Sequence, residues 1–349
     1  MKNKALKITL IVLISIVLFV VLLLSVVKIG ERLIFASFFS NVETEFKVPG
    51  ISDGFTQQGF DLYTGDKSTE DDDRYLVSGY MKDGSASCIY VLSMDGDVIS
   101  YTRLQDENGE AYTGHAGGIA HNDEYLYVTN DDNDLNSINV FPLAAILDNS
   151  QGSAKMLGSV YVYLKPAFCY IYEGKLYTGN FHKPDHEKYH SPESFLMGED
   201  NTAIMLSFEL DSWNVRNFGV SDTPSEAYSI TSQAQGICIA NDKLVISTSW
   251  SVNPSHLYVY DFKKINERAT IPTPIFMNKD VYGDKAMDKP IQLHFVTEDD
   301  LIKEIKAPPM AEELVYKDGK VLIMNESASK KYIFGRFTSG KNIYGYILD

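Results

Sequence analysis

The chain has 349 residues, with 31 basic against 47 acidic side chains and a net charge of −16. That balance excludes a protein that grips nucleic acid or adheres by charge to an anionic lipid surface, because both need positive charge. Three cysteines are too few for a disulfide framework, and Cys88, Cys169 and Cys238 each sit in an apolar stretch that suits a buried thiol.

The chain opens MKNKALK, carrying Lys2, Lys4 and Lys7 and no acid. From Ile8 to Val27 there is no charged residue, and only Thr9, Ser15 and Ser25 interrupt the aliphatic run. About twenty apolar residues in a helix match the hydrocarbon core of a bilayer, and a helix satisfies its own backbone there. A cleaved signal peptide has a shorter apolar region, roughly 7–15 residues, and then a small-x-small site. Here Lys28, Glu31 and Arg32 follow the run without such a site. The expectation is an uncleaved signal-anchor over residues 1–30 that meets the lipid bilayer through residues 8–27. The positive-inside tendency places the N-terminus in the cytoplasm and the rest of this single-pass membrane protein outside it. Residues 31–42 then form a stalk and 43–349 an extracytoplasmic domain.

Five similar units follow along that domain. The first is Gln57-Gln58-Gly59-Phe60-Asp61-Leu62 and, after an acidic insertion, Tyr75-Leu76-Val77-Ser78-Gly79. In the second, Ala116-Gly117-Gly118-Ile119-Ala120 leads through Asn122-Asp123 to Tyr125–Asn130. In the third, Ala167–Ile171 leads through Glu173-Gly174 to Lys175–Asn180. The fourth runs Ala234-Gln235-Gly236-Ile237-Cys238-Ile239, Asn241-Asp242, Lys243–Ser249. The fifth runs Ala311-Glu312-Glu313-Leu314-Val315, Asp318-Gly319, Lys320–Glu326. Asn-Asp, Glu-Gly and Asp-Gly suit tight hairpins because they tolerate positive φ or bond their own backbone. The β-branched and aromatic segments around them read as strands.

Third strands are expected at Ser87–Ser93, Ser137–Phe141, Ala203–Leu210, His256–Phe262 and Asn342–Leu348. Fourth strands are expected at Val98–Leu104, Lys155–Leu164 and Arg216–Val220. Insertions fall at Thr64–Arg74, Phe181–Asn201 and Pro272–Ala307, with short helical pieces near Pro142–Leu147 and Glu298–Lys306. Units of four strands recurring in this way define an all-β fold, a five-bladed β-propeller; a six-bladed ring, a β-sandwich or two β domains would be the alternatives. The fifth unit lacks a fourth strand, and an open edge invites aggregation. Glu43–Val48, arriving from the stalk, is expected to close the ring.

The Gln-Gly-Ile opening, hairpin and Ser/Thr/Asn ending of Gln235–Ser249 resemble blades of propellers that are neither WD nor kelch. Lactonases, calcium-dependent apyrases and strictosidine-synthase-like proteins belong to that group. The resemblance covers most of the domain but is architectural, and a fold alone does not carry function.

In such a ring the starts of inner strands and the ends of second strands meet at one mouth of the central channel. Polar side chains converging there make the candidate ligand-binding site: Gln58, Asn130, Asn180, Gln235, Ser249 and Trp250. His115, flanked by glycines, and His182 are the candidate general bases. Glu312, Glu326 and Asp131 are the candidate metal ligands, since oxygen-rich sets suit Ca²⁺; the resemblance to calcium-dependent hydrolases implies the same ion at the hub. The competing reading is that these polar groups only satisfy strand ends and ordered water. His182, His186 and His190 recur every fourth residue, but Pro184 and Pro192 argue against the helix that would align them on zinc. Asn325-Glu326-Ser327 fits a glycosylation sequon. Two functions follow as expectations: a membrane-anchored propeller that binds a small molecule or a protein at the mouth, or an extracytoplasmic Ca²⁺-dependent hydrolase of lactonase or phosphoanhydride type. No nucleic acid partner is expected.

Overall fold

The computed structural model describes residues 2–65, 72–130, 136–148, 150–186, 189, 203–332 and 338–348, with side chains from Leu6 onward. A helix over Lys2–Ile34 and a short one over Ala36–Phe39 precede a ring of antiparallel blades. The first helix is long and apolar enough to cross a membrane, and its apolar part touches nothing else in the protein.

Blade one is Phe55–Tyr63, Arg74–Met81, Cys88–Leu92 and Val98–Gln105. Blade two is Ile119–His121, Tyr125–Thr129, Ser137–Pro142 and Gly158–Tyr161. Blade three is Phe168–Tyr172, Lys175–Gly179, Ala203–Glu209 and Glu226–Ile230; blade four is Ala234–Ala240, Lys243–Thr248, Ser255–Asp261 and Leu301–Ala307. Blade five is Ala311–Lys317, Lys320–Asn325 and Asn342–Ile347, completed by Val42–Lys47 from the N-terminal side. The five inner strands touch one another in sequence around the ring, the fifth returning to the first. The protein is therefore a closed five-bladed propeller.

Turn chemistry explains why the hairpins form where the sequence places them. Glu173-Gly174, Asn241-Asp242 and Asp318-Gly319 all adopt positive φ, between 47° and 80°, as two-residue hairpins require. In blade two the Asn122 carboxamide instead accepts from the amides of Glu124 and Tyr125 at 2.9 and 2.7 Å.

Each interface between neighbouring blades holds one apolar core, so the ring carries five. The three thiols are unpaired and buried in three different ones. Burial pushes the Cys88 thiol up to about 12.

The outer strands depart from expectation in three places. Blade three ends with Glu226–Ile230, not Arg216–Val220, which holds a turn and one isolated bridge between Leu210 and Val220. The expected Lys155–Leu164 strand is shorter, Gly158–Tyr161, and Ser153–Lys155 instead runs parallel to the outer strand of blade one. Glu298–Lys306 is no helix: a turn at Glu298–Asp300 leads into Leu301–Ala307, the outer strand of blade four. Within the same insertion, Ile291–Phe295 pairs parallel to Glu226–Ile230 and widens blade three.

Closure by Val42–Lys47 follows expectation, with Val42 opposite Tyr346 and Lys47 opposite Asn342. Lys320 of the adjacent strand bonds Glu43 at 2.5 Å and Glu45 at 3.0 Å. Deleting residues 1–47 leaves Asn342–Ile347 as an unpaired edge. The truncated chain is expected to self-associate, whereas a chain starting at Gly30, which keeps Glu31, Phe35 and Phe38 packed on blades four and five, stays monodisperse; size-exclusion chromatography separates the two outcomes.

Candidate functional site

The inner strand of every blade begins, and the second strand ends, on the same face. Bulges at Gln57/Gly59, Ala234/Gly236 and Ala311/Leu314 sit at these inner-strand starts. A bulge re-aims the side chains beside it. Hydroxyls at the strand ends staple one blade to the next. Ser78 donates toward the carbonyls of Ala116 and Gly117 in blade two at 3.0 and 2.7 Å, and Ser247 toward that of Glu312 in blade five at 2.6 Å.

Below the mouth, on the axis, lies Glu313. It occupies the position that Gly59, Gly118 and Gly236 fill in other blades, and those glycines make room for it. A Cβ on Gly118 would stand 2.8 Å from the Glu313 carboxylate, and one on Gly236 would stand 2.5 Å from the Glu313 Cα. The side chain is fully buried, and Oε2 accepts from the Ile119 amide at 2.7 Å. Burial raises its pKa well above the ordinary carboxyl value, although the amides of Ile119, Phe60 and Cys169 favour the ionised form. Glu313 thus plugs the hub.

Directly at the mouth the structure brings Gln58, His115 and Glu326 together. The Gln58 amide donates to Glu326 Oε2 at 2.6 Å, the His115 ring contacts the Gln58 carbonyl oxygen, and the Tyr332 hydroxyl donates to Glu326 Oε1. Gln57 donates to the Asn325 carbonyl at 2.5 Å, which ties blade one to blade five. Glu312 lies in the same group: burial raises its carboxyl well above the usual range, and Glu326 raises it further. Burial also raises Glu326, against the pull of Lys331 and of the hydrogen bonds from Tyr332 and Gln58. The Lys331 ammonium donates to the Tyr80 hydroxyl at 2.5 Å and lies over the Tyr80 and Tyr332 rings at 5.2 and 5.3 Å. Burial works against its charge, but Glu326, Tyr80 and Glu312 hold its pKa up. His115 also packs on Tyr80, with ring centroids 4.8 Å apart.

A second group lies across blades three and four. Gln235 donates to Ser249 at 3.2 Å, and Trp250 packs against Phe181, His186 and Tyr189 at 6.0, 5.4 and 5.4 Å. Lys183 lies over the Trp250 ring at 5.1 Å. Other expected residues serve the backbone or a neighbouring phenol. Asn180 accepts from the Ile204 amide at 2.9 Å, and Asn130 accepts from the Tyr112 hydroxyl at 3.4 Å. His182 is buried in a positive-φ bend, and its carbonyl accepts from Gln233. Asp131 and His190 lie outside the described residues. Asn325 of the sequon is fully buried and donates to the carbonyls of Pro308 and Pro309 at 3.1 Å.

Sequence reasoning missed Glu313, Lys331, Tyr332 and Tyr80. A signal existed for the first, because one unit carries an acid where three others carry glycine. Lys331 and Tyr332 follow the second strand of unit five in a loop that nothing in the repeat predicts.

The fit to Ca²⁺ is poor on the described residues. Both Glu326 oxygens already accept hydrogen bonds, Lys331 supplies positive charge beside the pair, and no cluster of three or more metal-binding side chains occurs among the described residues. A cleft of about 400 Å³ lies on the other face, lined by Tyr172, Lys175, Tyr177, Glu226 and Tyr228 among others. Its Glu226 is saturated: His294 at 3.3 Å and Lys175 at 3.0 Å hold the carboxyl down at about 2 despite its burial.

No protein-family model matches the sequence, and no curated protein matches it. Among solved structures the chain is similar to a glutaminyl cyclase from Myxococcus xanthus, at 10% identity and a TM-score of 0.43, covering 88% of this chain and 97% of that one. It is also similar to an exo-β-1,3-galactanase from Phanerochaete chrysosporium crystallised with galactose, at 12% identity and a TM-score of 0.42, covering 83% and 59%.

Proposed function

We propose that the protein is a membrane-anchored, extracytoplasmic propeller that binds a ligand or partner at the channel mouth beside Gln58, His115, Glu312, Glu326 and Lys331. The observation that carries this reading is the mouth group itself. Two buried carboxyls hold a raised pKa within reach of an imidazole, an ammonium and two phenols. Burying such groups is costly even when they are hydrogen-bonded, strongly perturbed carboxyls cluster at functional sites, and this group presents donors and acceptors together. The anchor half of the reading is supported by the end of the apolar helix, which packs into the propeller. Glu31 accepts from the amide and hydroxyl of Ser339 at 3.0 and 2.8 Å, and Phe35 and Phe38 are buried between blades four and five. The lysines before the helix favour a cytoplasmic N-terminus.

The hydrolase reading has one feature in its favour: burial raises the pKa of Glu312 and Glu326, the direction that suits a carboxyl to general-acid work. The described donors favour a metal-free site.

A thermal-shift panel on the full chain tests the proposal, using neutral saccharides, small amines, carboxylates and CaCl₂ with and without chelator as probes. A shift from one class that falls at least about tenfold in apparent affinity in Glu326→Gln, the loss of a charged hydrogen-bonding partner, supports mouth binding. A shift that survives Glu326→Gln combined with His115→Ala overturns it. Stabilisation by CaCl₂ alone, reversed by chelator, turns the reading to the hydrolase.

A further inference from the structure

The anchor helix and the mouth lie on the same side of the propeller. Three contacts fix the course of the chain. Glu31 meets Ser339, which sits at the mouth end of blade five just before its third strand starts at Asn342. Phe35 packs under Lys306 near the mouth end of the outer strand of blade four, and Phe38 stacks edge-on against Tyr344 in mid-strand at 5.8 Å. Val42 then pairs with Tyr346 at the far end, and the closing strand climbs back to Lys47 opposite Asn342. From Glu31 to Val42 the chain therefore descends along the outside of the ring, from the mouth face toward the opposite one. The first helix ends at Ile34, and its contacts at Glu31 and then Phe35 both lie at the mouth end of the blades, so the apolar part before them projects beyond the mouth face. Two observations agree: nothing lies within 4 Å of a Cβ placed on Gly30, and no residue of the most apolar stretch of the helix is buried. Val27, the last residue of the apolar run, is only about 6 Å of helix from Glu31.

We infer that the mouth faces, and lies against, the lipid surface that holds the anchor. The inference rests on the anchor reading above. The mouth-face loops carry side chains suited to that boundary. Val252 is 75% exposed, beside the Trp250 group, and Lys82 and Lys331 are exposed near the Glu312 and Glu326 pair. Aromatic rings and lysines are the residues that settle at a lipid–water interface. The opposite face, with the turn around Trp213, points away from the bilayer.

The chain has two tryptophans, and they lie on opposite faces. Trp250 is at the mouth; Trp213 is 90% exposed on the turn after the third strand of blade three. A six-residue strand separates such faces by about 20 Å, so energy transfer to a dansyl headgroup distinguishes them. The full chain is reconstituted into phosphatidylcholine vesicles containing dansyl-phosphatidylethanolamine. Trp213→Phe, which keeps Trp250, is expected to transfer several-fold more efficiently than Trp250→Phe, which keeps Trp213. Because Trp213 is exposed, its replacement leaves the fold intact, and Trp213→Phe against the parent chain gives a second comparison: transfer per remaining tryptophan should rise. Equal transfer, or stronger transfer from Trp213, overturns the orientation while leaving the anchor standing. Protein that stays in the supernatant when the vesicles are sedimented overturns the anchor reading, and the orientation with it.

Discussion

A Gly236→Ala chain is expected to melt about 5 °C below the parent, from a cost on the order of 3 kcal/mol. The added Cβ would stand 2.5 Å from the Cα of Glu313 and 2.8 Å from the carbonyl oxygen of Glu312. Those atoms are backbone in the neighbouring blade, so no rotamer change relieves the clash. Either blade four or blade five must move outward. Such movement is transmitted, because Ser247 bonds the Glu312 carbonyl at 2.6 Å and Glu313 bonds the Ile119 amide at 2.7 Å in blade two. The cost should therefore sit at the upper end of what overpacking a core produces. Gly30→Ala is the matched control: the same substitution in open space within a helix, where the melting temperature should not fall. Differential scanning calorimetry of the three chains checks both outcomes. A Gly236→Ala chain that melts with the parent would mean that the hub is not close-packed.

The five hairpins were legible because two independent signals coincide in each. Asn241-Asp242 supplies the turn, and Lys243–Ser249 supplies a β-branched run ending in polar residues. Ring closure was legible for a different reason: a unit that stops after its third strand leaves an edge, and only Glu43–Val48 was free to cover it. Outer strands were less legible because they bury so little. Along Leu301–Ala307 only Ile305 and Ala307 are buried, so Lys303, Glu304 and Lys306 read as a solvated helix face. Arg216–Val220 misled in the opposite sense, since its apolar ends cap a turn and do not extend a sheet. At the mouth, Gln58, His115, Glu312 and Glu326 follow from the position of strand ends. Lys331 and Tyr332 do not, because a loop is not bound by the repeat. Glu313 was masked by its neighbour: a pair of acids was read for Glu312 alone, although strand alternation sends the second one to the axis.

The stability of the propeller is expected to fall as pH rises from about 5 to 8, and Glu313→Gln should remove much of that slope. Glu313 is fully buried, and its Oε1 has no hydrogen-bond partner among the described residues. Burial raises its folded pKa, as it does for Glu312 and Glu326. Below the ordinary carboxyl value the proton is bound in both folded and unfolded chains, and the group costs nothing. Above it the unfolded chain gains by ionising while the folded hub cannot, so stability declines until the folded pKa is reached. One such group contributes at most about 1.4 kcal/mol per pH unit over that window. Glu226 has the opposite sign: held at about 2 by His294 and Lys175, it contributes stability above the unfolded value that is lost only as pH falls through about 2. It therefore leaves the neutral range alone. Gln keeps the carbonyl oxygen that accepts from Ile119 and cannot ionise, so the variant should match the parent near pH 5 and exceed it near pH 8. Glu313→Ala also loses the titration but leaves a cavity and orphans the Ile119 amide, and should lie about 3 kcal/mol below Glu313→Gln at every pH. Urea melts of the three chains across this range decide the matter. A Gln variant that keeps the full parental slope would assign the titration to the Glu312 and Glu326 pair at the mouth, where bound ligand would then alter it.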